Sequence, residues 1–208
     1  MSKNLVITIG RECGSGGKVI GQKLAEKLGI KCYDKELIAM IAKESGLSED
    51  FLEQYDEKKS GLLSAMFMST SYAVNGVAIE MPANYKAFLA QFEAIKKLGE
   101  EESCVIVGRC ADYILRENPN LISIYICGDE AVKAARLMKI YGLTEEEARK
   151  TMRRTDKGRE GYYNYYTMKD WGSCDSYDLV VNSSRLGEDG TVDLLLDYIA
   201  RRQAVKEG

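Results

Sequence analysis

The chain contains no histidine at all. Without an imidazole there is no Ser-His or Cys-His nucleophile pair, no histidine general base and no histidine metal ligand. None of its six cysteines forms a C-x-x-C pair. Zinc sites built from closely spaced thiolates are thereby disfavoured. Only two prolines and one tryptophan occur in 208 residues. No apolar run is long enough to span a bilayer, and the first one leads straight into a glycine cluster rather than to a cleavage site, so neither a membrane span nor a signal peptide is expected. The expected location is the cytoplasm. Net charge is only −3, which argues against a non-specific nucleic-acid binder, although local arginine clusters remain.

What is present is ordinary for a globular domain, with 45% apolar and 29% charged residues. The length suits one domain with a small inserted lobe. Most cysteines (Cys32, Cys104, Cys110, Cys127, Cys174) lie in or beside predicted strands and read as small buried hydrophobes. Cys13 sits in the glycine cluster instead, where a helix start can lower a thiol pKa, but a filler role is the better reading.

Leu5 to Leu28 organises the rest. Leu5, Val6, Ile7 and Ile9 form a short apolar, β-branched run that reads as a buried strand. Gly14, Ser15, Gly16 and Gly17 follow, then Ile20, Leu24 and Leu28 at helical spacing, with Gly29 as the stop. A strand, a glycine turn and a helix build an anion site. The unpaired N–H groups and the dipole at the helix start favour negative charge, and glycines let backbone approach phosphate oxygens. Arg11 and Lys18 flank the turn. The full phosphate-loop pattern is not met: with Gly17-Lys18 as its Gly-Lys, the first glycine falls at Glu12 and the Ser/Thr at Val19. The dinucleotide fingerprint matches Gly14 and Gly16 and then meets Val19.

Further elements follow in rhythm. A strand is expected over residues 30–33, then a helix carrying Leu37, Ile38 and Ile41 with Asp34 as its N-cap and Gly46 as its end. Asp34 also lies near the place of a ribose-binding carboxylate in dinucleotide folds, and both readings stay open. Ser48 opens another helix. Asp56 to Pro82 breaks the rhythm with a polar stretch and then Met66, Met68 and Met81; a helical insert with some core contact and a lid over an acceptor are the alternatives. Tyr85 to Leu98 resumes helical spacing. Strands are expected at 103–107, 121–127 and 177–182, and helices at 111–116, 129–141, from Thr144 and from 189 to 204. Thr144 and Glu147 form a capping box. Strands alternating with helices give a parallel sheet with both faces covered, whose ligands bind beyond the carboxyl ends of the strands. Arg11, Asp34, Arg109, Asp129 and Ser183 to Arg185 fall there.

Arg109 directly follows its strand and offers a guanidinium fork suited to phosphate. Arg149, Arg153, Arg154, Lys157 and Arg159 make a basic run with Asp156 inside it. Arg149, Arg153 and Arg154 share a helical face, and a solvated surface is the competing reading.

The segment ITIGRECGSGGKVIGQKLAEKLG resembles the opening of cytidylate kinases, and especially of the cytidylate kinase-like proteins, a divergent branch of the nucleoside monophosphate kinases. VIVGRCADYIL resembles their Gly-Arg-Asp stretch, RRTDKGREGYYNYY their lid, and YDLVVNSSRL their last strand and loop. The resemblance implies an α/β P-loop three-layer sandwich: a parallel five-stranded sheet with helices on both faces, a helical acceptor-binding insert and an arginine lid. The core would be residues 1–46 and 100–208, the insert about 47–99 and the lid about 144–170. It implies transfer of the γ-phosphoryl of ATP, with Mg²⁺, to a nucleoside monophosphate, CMP or dCMP first. Donor phosphates would lie on Arg11, Gly14, Ser15, Gly16, Gly17, Lys18 and Val19. Asp34, Arg109, Asp112 and Asp156 would hold the acceptor, and Lys18, Arg153, Arg154 and Arg159 would stabilise the transferring charge. Gly158 and Gly161 would be hinges, and Tyr162, Tyr163, Tyr165 and Tyr166 would pack the lid or stack on a base. Aligned on Gly14-Ser15-Gly16, Gly17 stands where the family has its phosphate-gripping lysine and Val19 where it has the magnesium-binding Ser/Thr; Ser15 or an acidic residue elsewhere would take over the metal. A nucleotide-binding regulator without turnover, a kinase of another small acceptor and a dinucleotide oxidoreductase are the other readings.

Overall fold

The structure is a computed structural model and describes residues 4–34, 36–54 and 83–207. In chain order the elements are β1 (Val6–Arg11), α1 (Gly17–Leu28), β2 (Lys31–Tyr33), α2 (Glu36–Ser45), α3 (Glu49–Gln54), α4 (Ala83–Glu101), β3 (Cys104–Val107), α5 (Ala111–Ile114), β4 (Leu121–Cys127), α6 (Glu130–Tyr141), α7 (Glu145–Thr167), β5 (Leu179–Asn182) and α8 (Gly187–Glu207). The five strands form one sheet in the order β2-β3-β1-β4-β5, every pair parallel. β1 is central, with Ile9 beside Val107 on one side and Ile124 on the other.

Alternating side chains send one set of residues to each face. On one face Ile7, Ile9, Val105, Ile122, Ile124 and Ile126 meet Ile20 and Leu24 of α1 and Val192, Leu195 and Ile199 of α8. On the other, Val6, Cys104 and Ile106 meet Leu37, Ile41, Leu52, Ile95 and Leu98 from α2, α3 and α4. Each fully buried Ile or Leu contributes about 1.5–3 kcal/mol, so the doubly covered sheet supplies most of the driving force. A third cluster is aromatic: Phe88 of α4, Tyr162 and Tyr163 of α7, Tyr125 of β4 and Tyr177.

Several local expectations hold. Gly29 and Gly142 close α1 and α6 in the left-handed conformation. The Ser48 hydroxyl accepts from the Phe51 N–H at the start of α3. Thr144 and Glu147 bond reciprocally as a capping box. Other boundaries move. β5 begins at Leu179, not 177, because Asp178 turns its carboxylate onto the Ser123 amide and hydroxyl. α5 ends at Ile114 and α8 starts at Gly187. The Asp34 carboxylate, just ahead of α2, meets Lys18 and Arg109. Gly158 and Gly161 lie inside the uninterrupted α7 rather than at a break. Most of the methionine-rich insert lies outside the described residues.

Candidate functional site

The carboxyl end of the sheet gathers the residues singled out above. β1 ends at Arg11 and the chain turns through Gly14 and Gly16, both with positive φ (83° and 81°), into α1. At Gly14 a side chain is excluded, since its Cβ would fall 2.8 Å from the Lys133 carbonyl oxygen. Gly16 is the N-cap of α1 and receives no side-chain cap, which leaves the first-turn amides to the turn itself. Ser15 is buried; its hydroxyl donates to the Glu12 carbonyl (2.9 Å) and accepts from the Gly17 N–H (3.4 Å). Ser183, at the end of β5, donates to the Ser15 carbonyl at 2.6 Å.

Beside the turn, one carboxylate holds two cations. Asp34, 3% exposed, takes the Lys18 ammonium at 2.7 Å on one oxygen and Arg109 Nη1 at 3.1 Å on the other. The Lys18 side chain is 44% exposed and that of Arg109 is fully buried. Arg109 Nη1 also donates to the Val107 carbonyl at 3.1 Å. Gly108, Arg109 and Cys110 all have positive φ, at 80°, 57° and 54°. Two consecutive non-glycine residues in that region cost of order 1–3 kcal/mol each, a strain typical of functional segments.

α7 closes over the other side. The Cys13 N–H donates to Asp156 Oδ1 at 2.7 Å, and Arg159 Nη1 donates to the Arg11 carbonyl at 3.0 Å. Burial raises the Asp156 carboxyl pKa. Burial also raises the Cys13 thiol, whose side chain packs against Ala134 and Leu137 of α6 and Ala148 and Met152 of α7, as a filler would. Asp112 accepts from the Tyr163 hydroxyl at 2.7 Å, and burial pushes its carboxyl up to about 6. Asp112, Tyr163, Tyr177, Trp171, Arg11 and Arg159 line a hollow that opens against Gly10 and Gly108. A larger cavity of about 430 Å³, lined by Asn4, Lys96, Leu115 and Asn118, lies at the amino end of the sheet, away from these groups.

Thus Arg11, Ser15, Lys18, Asp34, Arg109, Asp156 and Arg159 come together with the glycine turn. Arg153 and Arg154 do not join them in the described contacts and stay exposed on α7. Val19 supplies no hydroxyl. Among the described residues no three carboxylates, cysteines or histidines cluster as a cation site, and Ser15 is engaged within the turn. Among the described residues, then, side chains alone make no magnesium site.

Two cations were not anticipated. Lys133 pairs with Glu12 at 2.7 Å, while Glu12 also accepts from the Gly128 N–H. The Arg136 guanidinium lies 3.0 Å from where a Gly16 Cβ would be and pairs with Glu188. Lys133 and Arg136 are three apart on the helix that follows β4, a spacing that puts both on one face at the binding end.

Residues 6–185 match the cytidylate kinase-like family. The chain belongs to that family. A cytidylate kinase of Pyrococcus horikoshii is 29% identical over 188 residues, covering 89% of this chain and 83% of the relative. The crystal structure of an uncharacterized protein from Eubacterium ventriosum superposes with a TM-score of 0.72 at 33% identity, covering 95% of this chain and 99% of that one. Shikimate kinase from Bacteroides thetaiotaomicron shares the fold at a TM-score of 0.55 and 13% identity, covering 94% and 98%. The architecture is that of the P-loop kinases.

Proposed function

We propose that the protein is a nucleoside monophosphate kinase that moves the γ-phosphoryl of ATP to CMP or dCMP. Family membership supports nucleotide kinase activity, and the cytidylate kinases among its relatives support the choice of acceptor. One observation carries the site assignment. The Lys18–Asp34–Arg109 trio sits beside a glycine turn that opens a helix, at the carboxyl end of a parallel sheet.

In the reaction an acceptor phosphate oxygen attacks the γ-phosphorus. The bond to the β,γ-bridging oxygen breaks, and ADP leaves with the electron pair. The protein's task is to position the reactants, neutralise charge and exclude water. The turn amides from Gly14 to Gly17 hold the donor phosphates, with Ser15 and Val19 shaping the turn. Mg²⁺ enters with ATP as part of the donor. Lys18, the exposed member of the trio, meets the acceptor phosphate, and Asp34 and Arg109 aim it. Asp112 and Asp156 lie on the acceptor side. The insert at about 47–99 frames the acceptor, and α7, within the lid at about 144–170, brings Arg159 to the transferring charge.

A second reading is a nucleotide-binding regulator without turnover, favoured by Gly17 and Val19 at the usual lysine and Ser/Thr positions. ADP release measured across a panel of monophosphates separates the two. Turnover with CMP or dCMP supports the kinase; ATP binding with no ADP release from any acceptor selects the regulator.

A further inference from the structure

The phosphate-loop pattern is glycine, four residues, glycine, lysine. Set on Gly16, it puts the first glycine at residue 11 and the lysine at residue 17. This chain has the reverse: an arginine at 11 and a glycine at 17. We infer that Arg11 and Gly17 are one reciprocal exchange, and that Arg11 supplies from the end of β1 the phosphate-binding cation that the loop's last residue ordinarily supplies. The inference rests on the kinase reading above.

The packing shows why the two positions are linked. A Cβ on Gly17 would lie 2.5 Å from Arg11 Cβ, 3.1 Å from Arg11 Cγ and 3.4 Å from Ile126 Cβ. Nothing in the Gly17 backbone calls for glycine, since its φ is not positive and it is the first residue of α1. The constraint is the Arg11 stem alone. One space under the turn takes one side chain, entering from β1 or from α1. In this chain it enters from β1, so a lysine at 17 is excluded for as long as residue 11 carries a Cβ.

The chemistry changes with the exchange. Arg11 is almost fully buried, and its backbone carbonyl is held by Arg159. A guanidinium presents a planar fork to two phosphate oxygens, whereas a lysine ammonium is a point charge. Arg11 also lines the hollow that contains Asp112 and Tyr163, which places its residue between the glycine turn and the acceptor side. Lys18, one place beyond the lysine position, is turned to Asp34 instead.

The test is a set of four proteins, wild type, Arg11→Gly, Gly17→Lys and the double variant, with Gly17→Ala added in the wild-type and Arg11→Gly backgrounds. Arg11→Gly lowers kcat/KM for ATP at least 100-fold and leaves the acceptor KM within threefold. The double variant regains at least tenfold over Arg11→Gly. Gly17→Ala lowers the melting temperature in the wild-type background and not in Arg11→Gly, a readout that needs no turnover. An ATP kcat/KM within twofold of wild type in Arg11→Gly overturns the inference while the kinase reading stands. So does an equal effect of Gly17→Ala in both backgrounds, or no recovery in a folded double variant. A wild-type protein that neither binds ATP nor releases ADP overturns the kinase reading, and the role of Arg11 with it.

Discussion

Asp34→Asn is expected to be among the most destabilising single changes at the site that leave side-chain volume unaltered. The carboxylate is 3% exposed and answers two cations of opposite character. Lys18, 44% exposed, returns to water when the charge is removed, and an exposed pair of that kind contributes about 0–1 kcal/mol. The Arg109 side chain has no exposure, so its charge loses a buried carboxylate at 3.1 Å when Asp34 becomes an amide. Removing one partner of a buried ion pair costs about 3–5 kcal/mol. For a chain of this size each kcal/mol moves the melting temperature by about 2–4 °C, so Asp34→Asn should melt about 6–20 °C lower. Lys18→Ala should stay within about 4 °C by the same conversion. The assay is thermal unfolding followed by circular dichroism, repeated with Arg109→Met and the double variant. Neutralising both members leaves no half-broken pair, so the double variant should be more stable than the sum of the single changes by at least about 1 kcal/mol. A fall of less than about 2 °C for Asp34→Asn would refute the argument. So would strict additivity with Arg109→Met.

Two further outcomes follow from the geometry. Asp112 carries a carboxyl raised to about 6 by burial, from 3.8. The folded state therefore holds this proton more tightly than the unfolded chain, and the group's cost to stability, full above about pH 6, is relieved as pH falls towards 4. Asp112→Asn should flatten that part of the stability profile in urea titrations; an unchanged profile between pH 4 and 6 contradicts it. Thr144→Ala removes the capping box at the start of α7 and should cost about 1 kcal/mol, read as a shift in the urea midpoint without a change in slope.

The strands and most helix ends could be read from the chain because they are local. Apolar runs such as LVITI and CVIV have to be buried on both faces, and Gly29, Gly142 and Thr144 end or start helices by their own chemistry. What sequence hid was distance. Asp34 stands where a helix cap is expected, and its contact with Arg109, 75 residues away in the chain, carries no local signal. Cys13 reads as filler, but that α6 and α7 are what it fills against is not visible in the chain. The basic run on α7 reads as one set, but helical geometry separates it: Arg159 is buried against β1, whereas Arg153 and Arg154 face solvent. Lys133 and Arg136 carry no motif and gain their place only when α6 lies across the glycine turn.

The central claim is that the carboxyl end of this sheet joins a donor triphosphate to a monophosphate acceptor. ADP release in the presence of ATP, Mg²⁺ and each nucleoside monophosphate in turn tests it most directly. The account predicts the highest kcat/KM with CMP or dCMP and its loss in Arg109→Ala; no ADP above the acceptor-free rate with any monophosphate contradicts it.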